Sequence, residues 1–96
     1  RMADRERWIA FGSRPKGRLI VDDGAKKALL SRKSLLCVGI VGSEGVFRPG
    51  DIVSISDREN KDFARGRAAL AAEVISSAKG KRFSREAVHC DDIVIL

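Results

Sequence analysis

The chain has 96 residues, 44% of them hydrophobic and 33% charged, and its formal net charge is +6. This length leaves room for one hydrophobic core, and the composition is that of a folded domain in water rather than of a disordered chain. Apolar runs are much shorter than the ~20 residues of a membrane span, and no secretory signal pattern opens the chain. We therefore expect a cytoplasmic protein with no membrane partner. Because the chain starts with Arg1 rather than methionine, we also expect a fragment of a longer protein.

The positive charge is unevenly distributed. Residues 1–33 contain ten Lys/Arg and four Asp/Glu, whereas residues 34–96 contain nine of each. Such an asymmetry favours a polyanion or an acidic protein surface as a neighbour. A solvated face that keeps the domain in solution explains the same pattern, and the charge alone leaves both interpretations open.

Two cysteines, Cys37 and Cys90, lie in separate apolar runs. Metal sites usually need three or four clustered ligands, and the chain has no C-x-x-C motif. We therefore predict two buried, reduced thiols and no metal site, as suits a reducing cytoplasm.

The leader, residues 1–16, is polar and basic apart from a short apolar island. We expect Trp8 and Phe11 of this island to pack on the body of the domain, because isolated aromatic side chains are costly to expose. The domain itself is predicted to span residues 17–96.

A short predicted strand, RLIVDD over residues 18–23, is followed by a predicted helix over residues 24–33. Asp22 or Asp23 suits the N-cap, where a carboxylate accepts unpaired backbone N–H groups. The pair Gly24-Ala25 is expected to let the helix pack closely. An apolar stripe of alanine and leucine then leaves Lys26 and Lys27 pointing largely to solvent.

At the other end of this helix, Arg32 and Lys33 are predicted to occupy the last turn, where cations suit the negative pole of the helix dipole. A helix of about ten residues is marginal in isolation, so we expect it to pack on a sheet.

The second part of the chain is rich in strand and turn signals. Residues 34–45 suggest one buried strand, and Pro49-Gly50 suggests a turn. Two further strands, joined by the polar hairpin of residues 57–61, precede a helix-compatible segment that Gly80 ends. Two short apolar pieces close the chain. About six short strands with one or two short helices predict a mainly β (α+β) fold, a small partly closed barrel.

No constellation in the sequence indicates catalysis. Asp22 and Asp23, as neighbours on a strand end, point to opposite faces and cannot share a substrate. His89 is the single histidine, and a structural role is favoured over a hydrolase in which it would activate a cysteine. Two glycine-containing stretches, GSEG at residues 42–45 and AKGKRFS at residues 78–84, lack the spacing of a phosphate-binding loop. We therefore predict a binding module.

Several stretches together resemble the PUA-domain family, small pseudo-barrels attached to RNA-modifying enzymes. They are VDDGA at the helix start, SLL at the next strand, FRPGDIV at the turn and ARG after the hairpin. The stretches RERWIAF and AVHCDDIVIL are similar to one branch of the family, which forms the C-terminal domain of glutamate 5-kinases. These enzymes catalyse the first step of proline synthesis from glutamate. In that branch Cys90 is usually arginine, and residues 68–85 depart from the usual pattern.

The resemblance implies a domain that is not itself catalytic and needs no cofactor. The amino-acid-kinase domain of the parent protein would bind ATP and Mg²⁺. It would also be the partner of this chain, whose own role would be regulation or assembly. The parent could also bring two copies of the chain together.

Alternatively, the resemblance implies an RNA-binding module of an RNA-modifying or ribosome-associated protein. PUA domains in RNA-modifying proteins hold RNA with the first helix, the start of the next strand and the last strand. In this chain the corresponding residues are Arg18, Lys26, Lys27, Arg32, Lys33 and Ser34.

Overall fold

The computed structural model describes residues 3–96, which contain three α-helices and seven strands. A π-helical turn, Trp8–Gly12, continues the first helix, and two 3-10 turns, Cys37–Gly39 and Cys90–Asp92, each separate two strands. In chain order the elements are α1 (Asp4–Arg7), β1 (Gly17–Val21), α2 (Asp23–Leu30), β2 (Leu35–Leu36), β3 (Ile40–Gly45), β4 (Ile52–Ser56), β5 (Asp62–Arg67), α3 (Ala72–Ala78), β6 (Glu86–Val88) and β7 (Ile93–Ile95).

The strands form two sheets. The larger has the order β3-β1-β4-β5-β7, in which β1 and β4 are parallel and all other neighbours are antiparallel. The smaller pairs β2 with β6. The predicted α+β class is confirmed, with seven strands where about six were expected, and within residues 3–96 the sheets do not close into a barrel.

The core is built around the central strand β4. Val53 and Ile55 point into the main cluster, where they meet Leu19 of β1, Leu29 of α2 and Ile75 of α3, all at most 1% exposed. The remaining residues of β4 are buried as well: Ile52 packs with Ile9 and Ala10 of the leader, and Ser56 donates a hydrogen bond to Asp62. Every residue of this central strand is therefore buried.

The leader packs on the sheet through different residues from those predicted. Ile9 and Ala10 are buried with Ile52 and Val94, whereas Trp8 and Phe11 are 53% and 72% exposed. The expectation that the two aromatics pack on the domain is therefore wrong. Because residues three apart share one side of a helical segment, Trp8 and Phe11 face outward together while the Ile9-Ala10 pair meets the sheet.

Residues 34–45 are not the single buried strand that the sequence suggests. The 3-10 turn Cys37–Gly39 divides them into β2, which pairs with β6, and β3, which pairs with β1. At this turn the chain comes close to α2, since a Cβ atom built on Gly39 would lie 2.5 Å from Cβ of Ala25. The break therefore lets one apolar run contribute to both sheets.

The turns follow the sequence signals more closely. Gly50 has a φ of +97°, and Asp51 N–H donates to the Arg48 carbonyl over 3.0 Å, so Pro49-Gly50 forms a type II turn. Gly80, with a φ of +75°, follows the end of α3. None of the helices in residues 3–96 has the length and hydrophobicity needed to cross a membrane.

Candidate functional site

Helix α2 starts at a capping carboxylate. Asp22 is the N-cap, and its Oδ1 accepts the Ala25 N–H over 2.7 Å, while Asp23 is the first helical residue and is exposed. Gly24 is exposed too, and a Cβ added to it would have only Asp22 Oδ1 nearby, at 3.5 Å. The prediction that Gly24-Ala25 permits close packing is therefore right for Ala25, which Gly39 approaches, and wrong for Gly24.

Helix α2 ends earlier than predicted, at Leu30, so Arg32 and Lys33 lie beyond its last turn. Arg32 has a left-handed φ of +65° and donates its N–H to the Leu29 carbonyl, while Lys33 N–H donates to Ala28, each over 3.0 Å. This is a Schellman motif, in which the position usually held by glycine is held by arginine. The tight reversal places both cations at the start of β2.

A groove of about 700 Å³ lies between α2, β2 and β6. Ala25 and Ala28 of the helix face Leu36 and Val38, so much of the lining is apolar. Twelve residues form the lining, namely Asp22, Gly24, Ala25, Ala28, Arg32, Lys33, Ser34, Leu36, Val38, Gly39, Glu86 and Cys90. The two cations in this set are matched by two carboxylates, so the groove is close to neutral.

Ser34 connects this groove to the far end of the chain. Its Oγ accepts the backbone N–H of Cys90 over 2.8 Å, which joins the start of β2 to the turn between β6 and β7. The hydroxyl hydrogen stays available to donate, because in this bond the oxygen is the acceptor. Ser34 therefore has a structural role and one free donor towards a ligand.

Lys26 does not point to solvent as predicted. Its Nζ lies 3.0 Å from Oδ2 of the buried Asp57 and 5.2 Å from the centre of the Phe63 ring. The hydrogen bond from Lys26, followed by the one from Lys61 N–H, holds the pKa of the Asp57 carboxyl below its ordinary value. The charge of Lys26 is therefore neutralised within the fold, whereas Lys27 is exposed as predicted.

Arg18 is also engaged by carboxylates. Its Nε lies 3.2 Å from Asp62 Oδ1 of β5, and its Nη1 lies 3.8 Å from Glu44 Oε1 of the neighbouring strand β3. Of the six candidate contact residues, the structure gathers Arg32, Lys33 and Ser34 along one groove. Arg18, Lys26 and Lys27 are not among the residues that line it.

His89 and the cysteines lie at different depths. His89 is exposed, and its Nδ1 accepts the Asp91 N–H over 3.0 Å, which caps the 3-10 turn before β7. Both thiols are free; Cys37 is buried, and burial raises the pKa of its thiol. Cys90 is only partly buried, so the prediction of two buried thiols is right for Cys37 alone.

A second, shallower groove of about 570 Å³ was not anticipated from the sequence. It is lined by Leu36, Val38, Arg82, Phe83 and Ser84, and it shares its first two residues with the larger groove. The sequence feature that could have indicated it lies in residues 79–85, where four lysine and arginine residues flank Phe83 along the chain. Cations around an exposed aromatic ring are typical of surfaces that bind single-stranded nucleic acids.

Comparison with known proteins identifies the relatives of this domain. The sequence profile of the family described as PUA domain matches residues 17–90. A glutamate 5-kinase of Streptomyces avermitilis is 40% identical over an alignment 108 positions long, gaps included, which covers 100% of this chain and 29% of the relative. The chain thus spans under a third of the length of that curated relative.

Solved structures share the fold. A PUA domain of Aeropyrum pernix K1, crystallised as a tartrate complex, has a TM-score of 0.69 and 30% identity, covering 77% of this chain and 41% of that one. An H/ACA RNP bound to a substrate RNA has a TM-score of 0.62 and 15% identity over 86% of this chain and 29% of that one, which is a likeness of fold alone. The chain belongs to the PUA-domain family and is homologous to the PUA domain of glutamate 5-kinases.

Proposed function

We propose that this chain is the C-terminal, non-catalytic module of a cytoplasmic glutamate 5-kinase, and that it serves regulation or assembly through contacts with the amino-acid-kinase domain. The observation that carries this proposal is the 40% identity over the whole chain, leader included, to a glutamate 5-kinase. In this assignment the kinase domain binds ATP, Mg²⁺ and L-glutamate. The module adds no catalytic residue.

Two features of the surface support a protein partner. Trp8 and Phe11 expose large apolar surface on the leader. The main groove is largely apolar and its charges cancel, which suits a protein segment better than a run of phosphates. Both surfaces would lie within reach of a domain that precedes the leader.

The test compares three proteins: the whole parent, a truncated parent that ends before residue 3 of this chain, and the isolated chain. Formation of γ-glutamyl phosphate is expected in the parent and absent in the isolated chain. The truncated parent should retain phosphorylation but change in oligomeric state or in inhibition by proline. A parent protein that does not phosphorylate glutamate would overturn the assignment, and an unchanged truncated kinase would overturn the regulatory role.

RNA binding is the second candidate function, and a specific observation favours it. Arg32, Lys33 and Ser34 line one groove, and the Arg82-Phe83 surface adjoins it. Bases could stack on Phe83 while cations contact phosphates. The shared fold with an H/ACA RNP component fits this arrangement but does not assign an RNA to this chain.

A titration of the chain with structured RNA at two salt concentrations tests this candidate. Log affinity should fall with log salt by roughly 0.7–0.9 per phosphate contacted. Lys33→Glu should weaken binding much more than Arg58→Glu, a matched charge reversal on the exposed hairpin away from the groove. Affinity that is independent of salt, or equal loss in both variants, would exclude this groove as an RNA site.

A further inference from the structure

Three different metal-binding side chains converge at the turn between β6 and β7. His89 Nδ1 lies 3.9 Å from Cys90 Sγ and 3.8 Å from Asp91 Oδ2, and Cys90 Sγ lies 3.9 Å from Asp91 Oδ1. The three side chains thus form a triangle on the surface in which each pair approaches within 3.8–3.9 Å, with the two Asp91 oxygens facing different partners. Cys90 also lines the main groove described above, whereas His89 and Asp91 do not.

The size of the triangle fits a small, tetrahedrally bound cation. With bonds of about 2.3 Å to sulfur and 2.0–2.2 Å to nitrogen and oxygen, tetrahedral Zn²⁺ holds its ligand atoms about 3.3–3.6 Å apart. The observed contacts are a few tenths of an ångström longer, and with a single Asp91 oxygen as ligand the three ligand atoms lie within 4.8 Å of one another, so side-chain rotations must draw them together as the cation binds. We propose that His89, Cys90 and Asp91 bind Zn²⁺ as a three-ligand site with its fourth position open to water.

The histidine already has the form that a metal needs. A backbone N–H can only donate, so the Asp91 N–H that points at His89 Nδ1 requires an unprotonated nitrogen there, with the ring proton on Nε2. Binding replaces this hydrogen bond with a Zn–N bond. As the Zn–S bond forms, the Cys90 thiol releases its proton to water, so a neutral thiol becomes a bound thiolate.

The backbone of the turn is held in place before any metal binds. Cys90 N–H donates to Ser34 Oγ over 2.8 Å, and Asp92 N–H donates to the His89 carbonyl over 2.9 Å. His89 and Asp91 are exposed, and Cys90 and Asp91 line a cavity of about 430 Å³, so a cation can enter. Arg32 and Lys33 line the same cavity; their charge opposes a cation but favours the thiolate and an anionic fourth ligand.

Titration of the reduced chain with Co²⁺ tests the proposal, because cobalt in a tetrahedral thiolate site has intense visible and near-ultraviolet absorption. One Co²⁺ per chain is expected to bind with these bands, and Zn²⁺ should abolish them by displacement. Cys90→Ser and His89→Gln should remove the bands, and Asp91→Asn should weaken affinity at least tenfold. Circular dichroism of each variant confirms that the fold is kept.

Two matched controls separate this site from general metal binding. Asp92→Asn makes the same charge change on a carboxylate outside the triangle, and Cys37→Ala removes the buried thiol; both should leave the spectrum unchanged. In the unaltered chain, Zn²⁺ should also protect Cys90 from a thiol reagent. Absent cobalt bands, bands that survive Cys90→Ser, or one cobalt shared by two chains would each overturn the proposal.

Discussion

The ammonium group of Lys26 lies 3.0 Å from the Asp57 carboxylate, which the backbone N–H groups of Glu59 and Lys61 also contact, each over 3.0 Å. A side chain of α2 is thereby fixed to the hairpin between β4 and β5. The contact joins residues 31 positions apart, and it removes from the surface one of the cations that the sequence assigns to a partner. Lys26 and the adjacent Lys27 consequently have different roles.

Replacement of each lysine should show this difference. Lys26→Ala leaves the buried Asp57 carboxylate with its two backbone N–H donors but without a cation, and should lower the free energy of unfolding, because a buried charge that loses its opposite charge is costly. Lys27→Ala, at an exposed position, should change it by no more than about 0.5 kcal/mol. Urea unfolding of the two variants measures both values; similar losses would contradict the distinction.

The same carboxylate should make stability depend on pH. Because the pKa of Asp57 is lower in the folded than in the unfolded chain, its contribution is fully present above the ordinary pKa of 3.8 and is lost as the pH falls through the folded value. Asp57→Asn should therefore be less stable than the unaltered chain at neutral pH, and the difference should shrink in acid. Urea unfolding from pH 7 to pH 3 checks this; a constant difference would refute it.

Arg32 is expected to lower the free energy of unfolding because of its backbone conformation. Its φ of +65° is left-handed, which glycine adopts without strain and a side chain does not. Arg32→Gly should therefore stabilise the chain by about 1 kcal/mol. Lys33→Gly, next to it and without a positive φ, should not, and a destabilised Arg32→Gly variant would show that the side chain itself is needed for folding.

Two glycines near α2 should respond in opposite ways. Gly39→Ala sets a Cβ 2.5 Å from the Cβ of Ala25 and should cost about 1–3 kcal/mol. Gly24→Ala, exposed within the first turn of the helix, should gain up to about 1 kcal/mol. Thermal unfolding compares them, and Ala25→Gly should partly rescue Gly39→Ala if the clash is the cause.

The leader should contribute to stability through Ile9 rather than through its aromatic residues. Ile9 is fully buried, so Ile9→Ala should cost about 2–4 kcal/mol. Phe11→Ala, at 72% exposure, should cost no more than about 0.5 kcal/mol in the isolated chain. Chemical unfolding separates the two residues; a large loss for Phe11→Ala would place it in the core.

Local patterns predicted the elements well wherever short-range chemistry determines them. The Asp22 cap, the Pro49-Gly50 turn, the 57–61 hairpin and the break before β7 all lie where the sequence indicated, since each depends on neighbouring residues alone. The division of residues 34–45 was not predictable in this way. It depends on how two sheets share one apolar run, which is a tertiary effect.

The site was only partly predictable for a similar reason. Counting charges placed the positive face in the first third of the chain, but the count could not show that Asp62 and Glu44 would neutralise Arg18, or that Asp57 would do so for Lys26. The His89-Cys90-Asp91 triangle was missed because the two cysteines are far apart in sequence and no C-x-x-C motif marks a metal site. A 3-10 turn instead brings three adjacent side chains together.

The contact of Ile9 with Val94 beside Ile52 has a mechanical consequence. The leader and the last strand pack against each other, so a displacement of the leader would loosen β7. The turn that carries His89, Cys90 and Asp91 leads directly into that strand. Loss of the leader should therefore expose Val94 and loosen this turn as well.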